Sequence, residues 1–230
     1  MLLGNKTIGT IAYLGAGAIY EEFFWSLNQM IQYNYEYLCE SGERIHYDRV
    51  KQSYHSYARN ELARRMRGDW LLMLDTDHAF APDICARMLH LMYKHDVDVI
   101  VGKYRYKMPP HAPVLYKRNE DDALEVIVDW DKSLELVQVD SSGGGCLLVK
   151  REVYDRIENE LHELPFIEIN PYSEDHSFFI RLAKLNIKTY CATNINYNHL
   201  SVKEITDEDF KMPLGGQITE MITEGILCPQ

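Results

Sequence analysis

The run Trp70-Leu71-Leu72-Met73-Leu74 contains no charged side chain, and it ends abruptly in Asp75-Thr76-Asp77-His78. A short continuous apolar stretch, as opposed to an alternating one, marks a strand buried on both faces. Such strands belong to mostly parallel sheets covered by helices, so the chain is constrained to a layered α/β fold. The surrounding pattern agrees. Residues 7–14 (TIGTIAYL) read as a first strand, followed by the small-residue loop Gly15-Ala16-Gly17-Ala18. Residues 20–32 read as a helix with Phe23, Phe24, Leu27 and Ile31 on one face, and 35–39 as a second strand. After a polar stretch rich in Tyr and Arg, a helix is expected around 56–67, ended by Gly68. Pro82-Asp83 opens another helix to about residue 95, and 97–101 is again a buried strand.

Residues 103–125 break the rhythm with Pro109-Pro110, Pro113 and a run of charge, and read as a long loop or irregular hairpin. Its Tyr104, Tyr106 and Tyr116 read as exposed residues of an ordinary hairpin, or as a surface for stacking on a sugar or base beside Lys103, Arg105 and Lys107. Strands at 125–129, 134–139 and 146–149 suggest a smaller second part of the sheet. A helix over 174–185 and a strand at 187–191 follow. With no linker and no repeat, residues 1–200 read as one α/β sandwich with a mostly parallel central sheet. Residues 201–230, polar and carrying Gly215-Gly216 and Gly225, read as a tail or lid.

Composition narrows the function. A formal net charge of −11 gives no support to a broad basic face for nucleic acid. Cys39, Cys85, Cys146, Cys191 and Cys228 are scattered with no CxxC pair, which fits free thiols in a reducing compartment. The start of the sequence has no long apolar leader, and nowhere do 18 apolar residues run together. No signal peptide, no membrane span and a cytoplasmic location are therefore expected.

The chemistry centres on three motifs. Asp75 and Asp77 sit where a buried strand leaves the sheet, the place at which open α/β sheets bind ligands. If the pair stayed extended, both carboxylates would point the same way and could share a hard cation. The alternative reading is a plain turn after a strand. Asp140-Ser141-Ser142-Gly143-Gly144-Gly145-Cys146 permits close backbone approach to a ligand, or simply a tight bulge. Glu174-Asp175 opens a helix after Ser173. There the helix field either just stabilises the helix or holds a general base ionised.

The stretch Ala58-Arg59-Asn60-Glu61-Leu62-Ala63, through Gly68-Asp69-Trp70, to Asp75-Thr76-Asp77 resembles the donor-binding half of GT-A fold glycosyltransferases, especially the inverting family 2. The resemblance implies that Asp77 ligates Mn²⁺ or Mg²⁺ on the diphosphate of a nucleotide-sugar donor, a UDP-sugar by preference, with Asp75 near the ribose or the metal. It implies that Arg59 and Asn60 lie near the donor, Arg59 being equally suited to a structural ion pair. Gly144 and Gly145 would line the sugar side of the cleft. Glu174-Asp175 is similar to the family's ED motif, which implies Asp175 as the base and Glu174 as its support. His199 follows about 24 residues after that pair, and a late histidine completes the metal shell in several such enzymes. His78, His111 and His176 have no assigned role. The acceptor hydroxyl is left open between a glycan, a protein and a modified nucleic-acid base, and nothing in the sequence indicates an oligomeric state.

Three rival readings exist. A haloacid dehalogenase-type phosphohydrolase would use Asp75 as nucleophile and Asp77 as acid–base group, but Ala79 stands where that motif carries Thr or Val. A sugar nucleotidyltransferase would want a charged Gly-rich loop after its first strand, and Gly15 to Ala18 carries no charge. A non-catalytic binding protein on the same fold is the third.

Overall fold

The computed structural model describes residues 6–15, 19–38, 41–51, 54–201 and 204–207. The first half alternates strand and helix: β1 (Lys6–Leu14), α1 (Glu21–Leu38), β2 (Glu43–Val50), α2 (His55–Arg65), β3 (Trp70–Asp75), a short β4 (His78–Phe80), α3 (Ile84–Lys94) and β5 (Val99–Lys103). The second half is richer in strands: β6 (Leu115–Arg118), β7 (Leu124–Val126), β8 (Leu136–Val139), β9 (Ser141–Ser142) and β10 (Cys146–Lys150). Then come α4 (Arg151–Arg156) with a π-helical continuation over Ile157–Leu161, α5 (Glu174–Lys184), β11 (Thr189–Leu200) and β12 (Glu204–Ile205).

The main sheet runs β2-β1-β3-β10-β5-β11 with β12 at its end. β1 is parallel to both β2 and β3, and β11 is parallel to β5. β10 is inserted between β3 and β5 and is antiparallel to both. β7, β6 and β9 form a separate three-stranded sheet. The apolar run of β3 behaves as its composition demands. Leu72 and Leu74 join one core with Phe23, Met30 and Met88 from α1 and α3, while Leu71 and Met73 join a second core with Leu62, Phe178 and Leu182 from α2 and α5. Each such side chain contributes about 1.5–3 kcal/mol on burial. The layered α/β architecture is the one expected.

Four local expectations are corrected. Residues 35–38 continue α1, because the buried positions Phe23, Leu27, Met30 and Asn34 keep helical spacing past residue 32. The second strand is the polar segment 43–50, which is the outer strand β2 with one neighbour in the sheet. Its mixed composition reflects that half-exposed place. The strand over 146–150 is central in the main sheet, not part of a smaller one. The strand expected at 187–191 runs on to Leu200. Its first half, 189–192, lies between β5 and β8, and its second half pairs with β4 and β12. β12 thus lies beyond the expected boundary at 200.

Residues 104–114 form an irregular hairpin, closed by Val114 N–H to Tyr104 O at 3.0 Å and Tyr106 N–H to Ala112 O at 3.0 Å. Its tyrosines are not surface residues: Tyr104 and Tyr116 are buried and Tyr106 is half-buried, hydrogen-bonded to Tyr116 through their hydroxyls. Cys85, Cys146 and Cys191 are buried free thiols. Cys39, Cys228, Ala16 to Ala18 and the glycines of the expected tail lie outside the described residues. Among the described residues no helix is long and apolar enough to cross a membrane.

Candidate active site

The carboxyl ends of β3 and β5, the loop before β10 and the tip of α5 surround one cleft of about 620 Å³. It is a size that suits a small-molecule ligand. Asp75, Asp77, His199, Glu174 and Asp175 all line it, as do Arg59 and Lys107. Four carboxylates thus face two permanent cations, a balance that favours binding further positive charge.

The chain turns immediately after β3, so the two aspartates do not share an extended segment. The Asp75 N–H donates to Gly145 O at 2.8 Å and its carbonyl accepts from the Tyr197 hydroxyl at 2.9 Å. Its carboxylate oxygens lie 3.1 and 3.3 Å from Arg59 Nη2. Asp75 is thus paired with arginine and lies outside the Asp77, His78 and His199 group, while still lining the cleft. Arg59 is buried to 2 % exposure and also donates to Glu174 Oε1 at 3.2 Å and to the Gly144 carbonyl at 2.8 Å. Burial opposes its charge, but Asp75, Glu174 and Asp175 outweigh that and raise its pKa further. Arg59 is thus a hub that ties α2, β3, the glycine loop and α5 together.

Asp77 belongs to a different group. Its backbone carbonyl accepts the Leu200 N–H at 2.7 Å, so the turn is stitched to the end of β11. One carboxylate oxygen lies 2.9 Å from His78 Nδ1, and the other lies 3.6 Å from His199 Nε2 and 2.6 Å from Lys107 Nζ. One ligand atom each from Asp77, His78 and His199 fall within 4.8 Å of one another. Burial works to raise the Asp77 carboxyl, but its close neighbours His199, His78 and Lys107 prevail and hold it far below the carboxylate range. The His78 ring is fully buried, which lowers its pKa to about 4 despite Asp77. Although His78 Nδ1 is close to Asp77, the pair is poorly aligned for a hydrogen bond, and both ring nitrogens are left without one. His199 Nδ1 is 2.6 Å from the Arg105 carbonyl. That contact makes Nδ1 the protonated nitrogen and turns a bare Nε2 toward Asp77. A carboxylate, a ring nitrogen presented by its partner, and an orphaned buried imidazole form a mixed oxygen and nitrogen donor set for a divalent cation, of which the carboxylate is the donor that suits Mn²⁺ or Mg²⁺.

The glycines serve the protein's own side chains. A Cβ on Gly144 would fall 2.5 Å from the Arg59 guanidinium carbon, and one on Gly143 would fall 2.0 Å from the Tyr104 hydroxyl. Gly143 borders the cleft, whereas Gly144 and Gly145, expected there, sit behind it. Asn60 is also turned elsewhere, accepting the Phe166 N–H at 3.0 Å, and does not border the cleft. At the tip of α5, Asp175 Oδ1 accepts from the Ser173 hydroxyl and from the His176 N–H at 2.8 Å, while Oδ2 accepts the Gly144 N–H at 3.3 Å. Ser173 stands at the N-cap position, but its hydroxyl is committed to Asp175 and makes no capping bond. Glu174 is raised, chiefly by burial, with Arg59 opposing and Asp175 adding to it.

Sequence reasoning left out His78 and undervalued Lys107 and Tyr104. His78 follows the acidic pair directly, but only the pairing of β4 with β11 shows that it faces His199.

Residues 31–157, more than half of the chain, match the profile described as glycosyl transferase family 2. The chain belongs to glycosyl transferase family 2. No curated protein matches it significantly. Among solved structures, GalNAc-T7 with UDP, GalNAc and Mn²⁺ is similar at TM-score 0.57 and 10% identity, over 85% of this chain and 43% of that one. TarS from S. aureus is similar at TM-score 0.50 and 12% identity, over 98% and 40%. These likenesses are of fold, and the family 2 chain spans about two-fifths of either structure's length. Together they give the chain a GT-A fold within glycosyl transferase family 2.

Proposed function

We propose that this family 2 domain transfers a sugar from a nucleotide-diphosphate sugar to an acceptor hydroxyl, with inversion at the anomeric carbon. The observation that carries the reading is that Asp77, His199 and Asp175, distant in sequence, border one cleft. Asp77 and His199, with His78 beside them, would hold Mn²⁺ or Mg²⁺. When bound, such an ion supplies charge neutralisation for the donor diphosphate and Lewis-acid help for its departure. The likeness to GalNAc-T7, crystallised with UDP and Mn²⁺, supports trying a UDP-sugar and Mn²⁺ first.

Asp175 does the proton chemistry. Three donors orient its carboxylate at the start of α5. It accepts the proton of the acceptor hydroxyl as that oxygen bonds to the anomeric carbon. The bond from that carbon to the diphosphate oxygen breaks at the same time, and the nucleoside diphosphate leaves as an anion. Arg59 and Gly144 hold Glu174 and Asp175 in place for this step.

The test is a panel of nucleotide sugars with Mn²⁺, Mg²⁺ or a chelator, read first as thermal stabilisation and then as turnover. One donor should raise the melting temperature only with metal. NMR of the product should show the inverted anomer. Turnover unaffected by chelator, or a retained anomer, would overturn the corresponding part of the proposal.

A further inference from the structure

Lys107 is placed unlike any other cation of the cleft. Arg59 is buried and committed to three partners, whereas the Lys107 side chain is 35% exposed and its ammonium lies 2.6 Å from Asp77 Oδ2. That oxygen is the one facing His199 Nε2. The backbone beneath Lys107 is fixed by the two hydrogen bonds of the 104–114 hairpin, and its ammonium lies 6.0 Å from the Tyr20 ring on the cleft wall. The side chain is therefore a long flexible arm on a firm base, able to swing within the cleft while the hairpin stays still.

A divalent ion shared by Asp77 and His199 would have to use the oxygen that Lys107 holds. Two cations on one half-buried carboxylate repel at a separation where screening by solvent is weak. The ammonium must leave for the ion to bind tightly, and it needs an acceptor to go to. A diphosphate brought in beside the ion offers one, since lysine is a common point-charge partner for phosphate.

We infer that Lys107 is a resident counter-ion of Asp77 that swings onto the donor's diphosphate, so that metal and nucleoside diphosphate bind as a mutually dependent pair. The inference rests on the metal-dependent reading above. It adds that Lys107 sets the order of assembly: metal alone is held weakly, nucleoside diphosphate alone is held weakly, and each strengthens the other.

The experiment is Mn²⁺ binding followed by electron paramagnetic resonance, without nucleotide and with saturating UDP, on the wild-type chain, Lys107→Gln and Lys107→Arg. Inorganic pyrophosphate run in parallel separates diphosphate recognition from nucleoside recognition. In the wild type, UDP should tighten Mn²⁺ at least ~10-fold. Lys107→Gln should bind Mn²⁺ alone roughly 10-fold more tightly and UDP alone more weakly, shrinking the coupling, while Lys107→Arg should restore it. Unchanged circular dichroism and melting temperature would show that the variants are folded. Mn²⁺ affinity of Lys107→Gln equal to or below the wild type, with UDP coupling intact, would overturn the role of Lys107 and leave the metal site standing. No Mn²⁺ binding by any of the three, even with UDP, would overturn the site and this inference together.

Discussion

His199 lies directly opposite His78 in the antiparallel pairing of β11 with β4, and the two imidazoles stack with centroids 4.1 Å apart and planes 16° apart. Tyr197 covers the other side of His78 at 4.2 Å. The stack holds His199 edge-on to Asp77, and the Arg105 carbonyl selects its tautomer. His199→Ala should therefore weaken Mn²⁺ at least ~10-fold in the presence of UDP, and Asp77→Asn by more. Binding within twofold of the wild type would remove His199 from the ligand set.

Asp175→Asn keeps the shape of the helix tip but cannot accept a proton. Its turnover should fall on the order of 10²–10⁴-fold, with donor-induced thermal stabilisation preserved. Near-full activity would sink the assignment and revive the non-catalytic reading. Ser173→Ala, which removes one of the donors to Asp175, should have a smaller effect of the same kind.

Arg59 reports on stability more than chemistry. Arg59→Ala leaves Asp75 and Glu174 facing each other without a buried cation, a loss on the order of 3–5 kcal/mol. For a chain of this size that corresponds to a melting temperature lower by roughly 10 °C. Calorimetry showing a change under about 2 °C would contradict the hub described here. Gly144→Ala should cost about 1–3 kcal/mol by the same route, because its Cβ would press on the Arg59 guanidinium.

The pH dependence follows from two buried histidines. His78 is lowered to about 4 and His176 is lowered too, in both cases chiefly by burial. Their unfolded forms titrate near 6.5, so between that value and about 4 the unfolded chain binds more protons than the folded one. The metal-free protein should then lose stability as pH falls from 7 to 5, as measured by urea unfolding. His176→Phe should flatten part of the slope. Stability that is constant or rises toward pH 5 would refute this.

The sheet was legible because β3, β5 and β10 are buried on both faces, and burial leaves an uninterrupted apolar run. β2 was missed because an outer strand needs only one apolar neighbour, so ERIHYDRV looked like a loop. The three motifs were legible as carboxylates and a histidine in a familiar order. Their division of labour was not. Asp75 and Asp77 are two residues apart, yet a turn between them sends one to arginine and the other to histidine. Nothing in the spacing of Gly143 to Gly145 showed that the space they leave is taken up by Tyr104 and Arg59 and not by a ligand.

β11 has one further consequence. The strand that joins the main sheet through 189–192 is the same strand that presents His199 seven residues later, past a bulge between Ala192 and Asn196. The distance between His199 and Asp77 is accordingly inherited from the global fold, since their elements are also zipped together by β4. Side-chain changes for a bulkier donor or a different acceptor are then more easily borne by the 104–114 hairpin, which lines the cleft outside the main sheet, than by this strand.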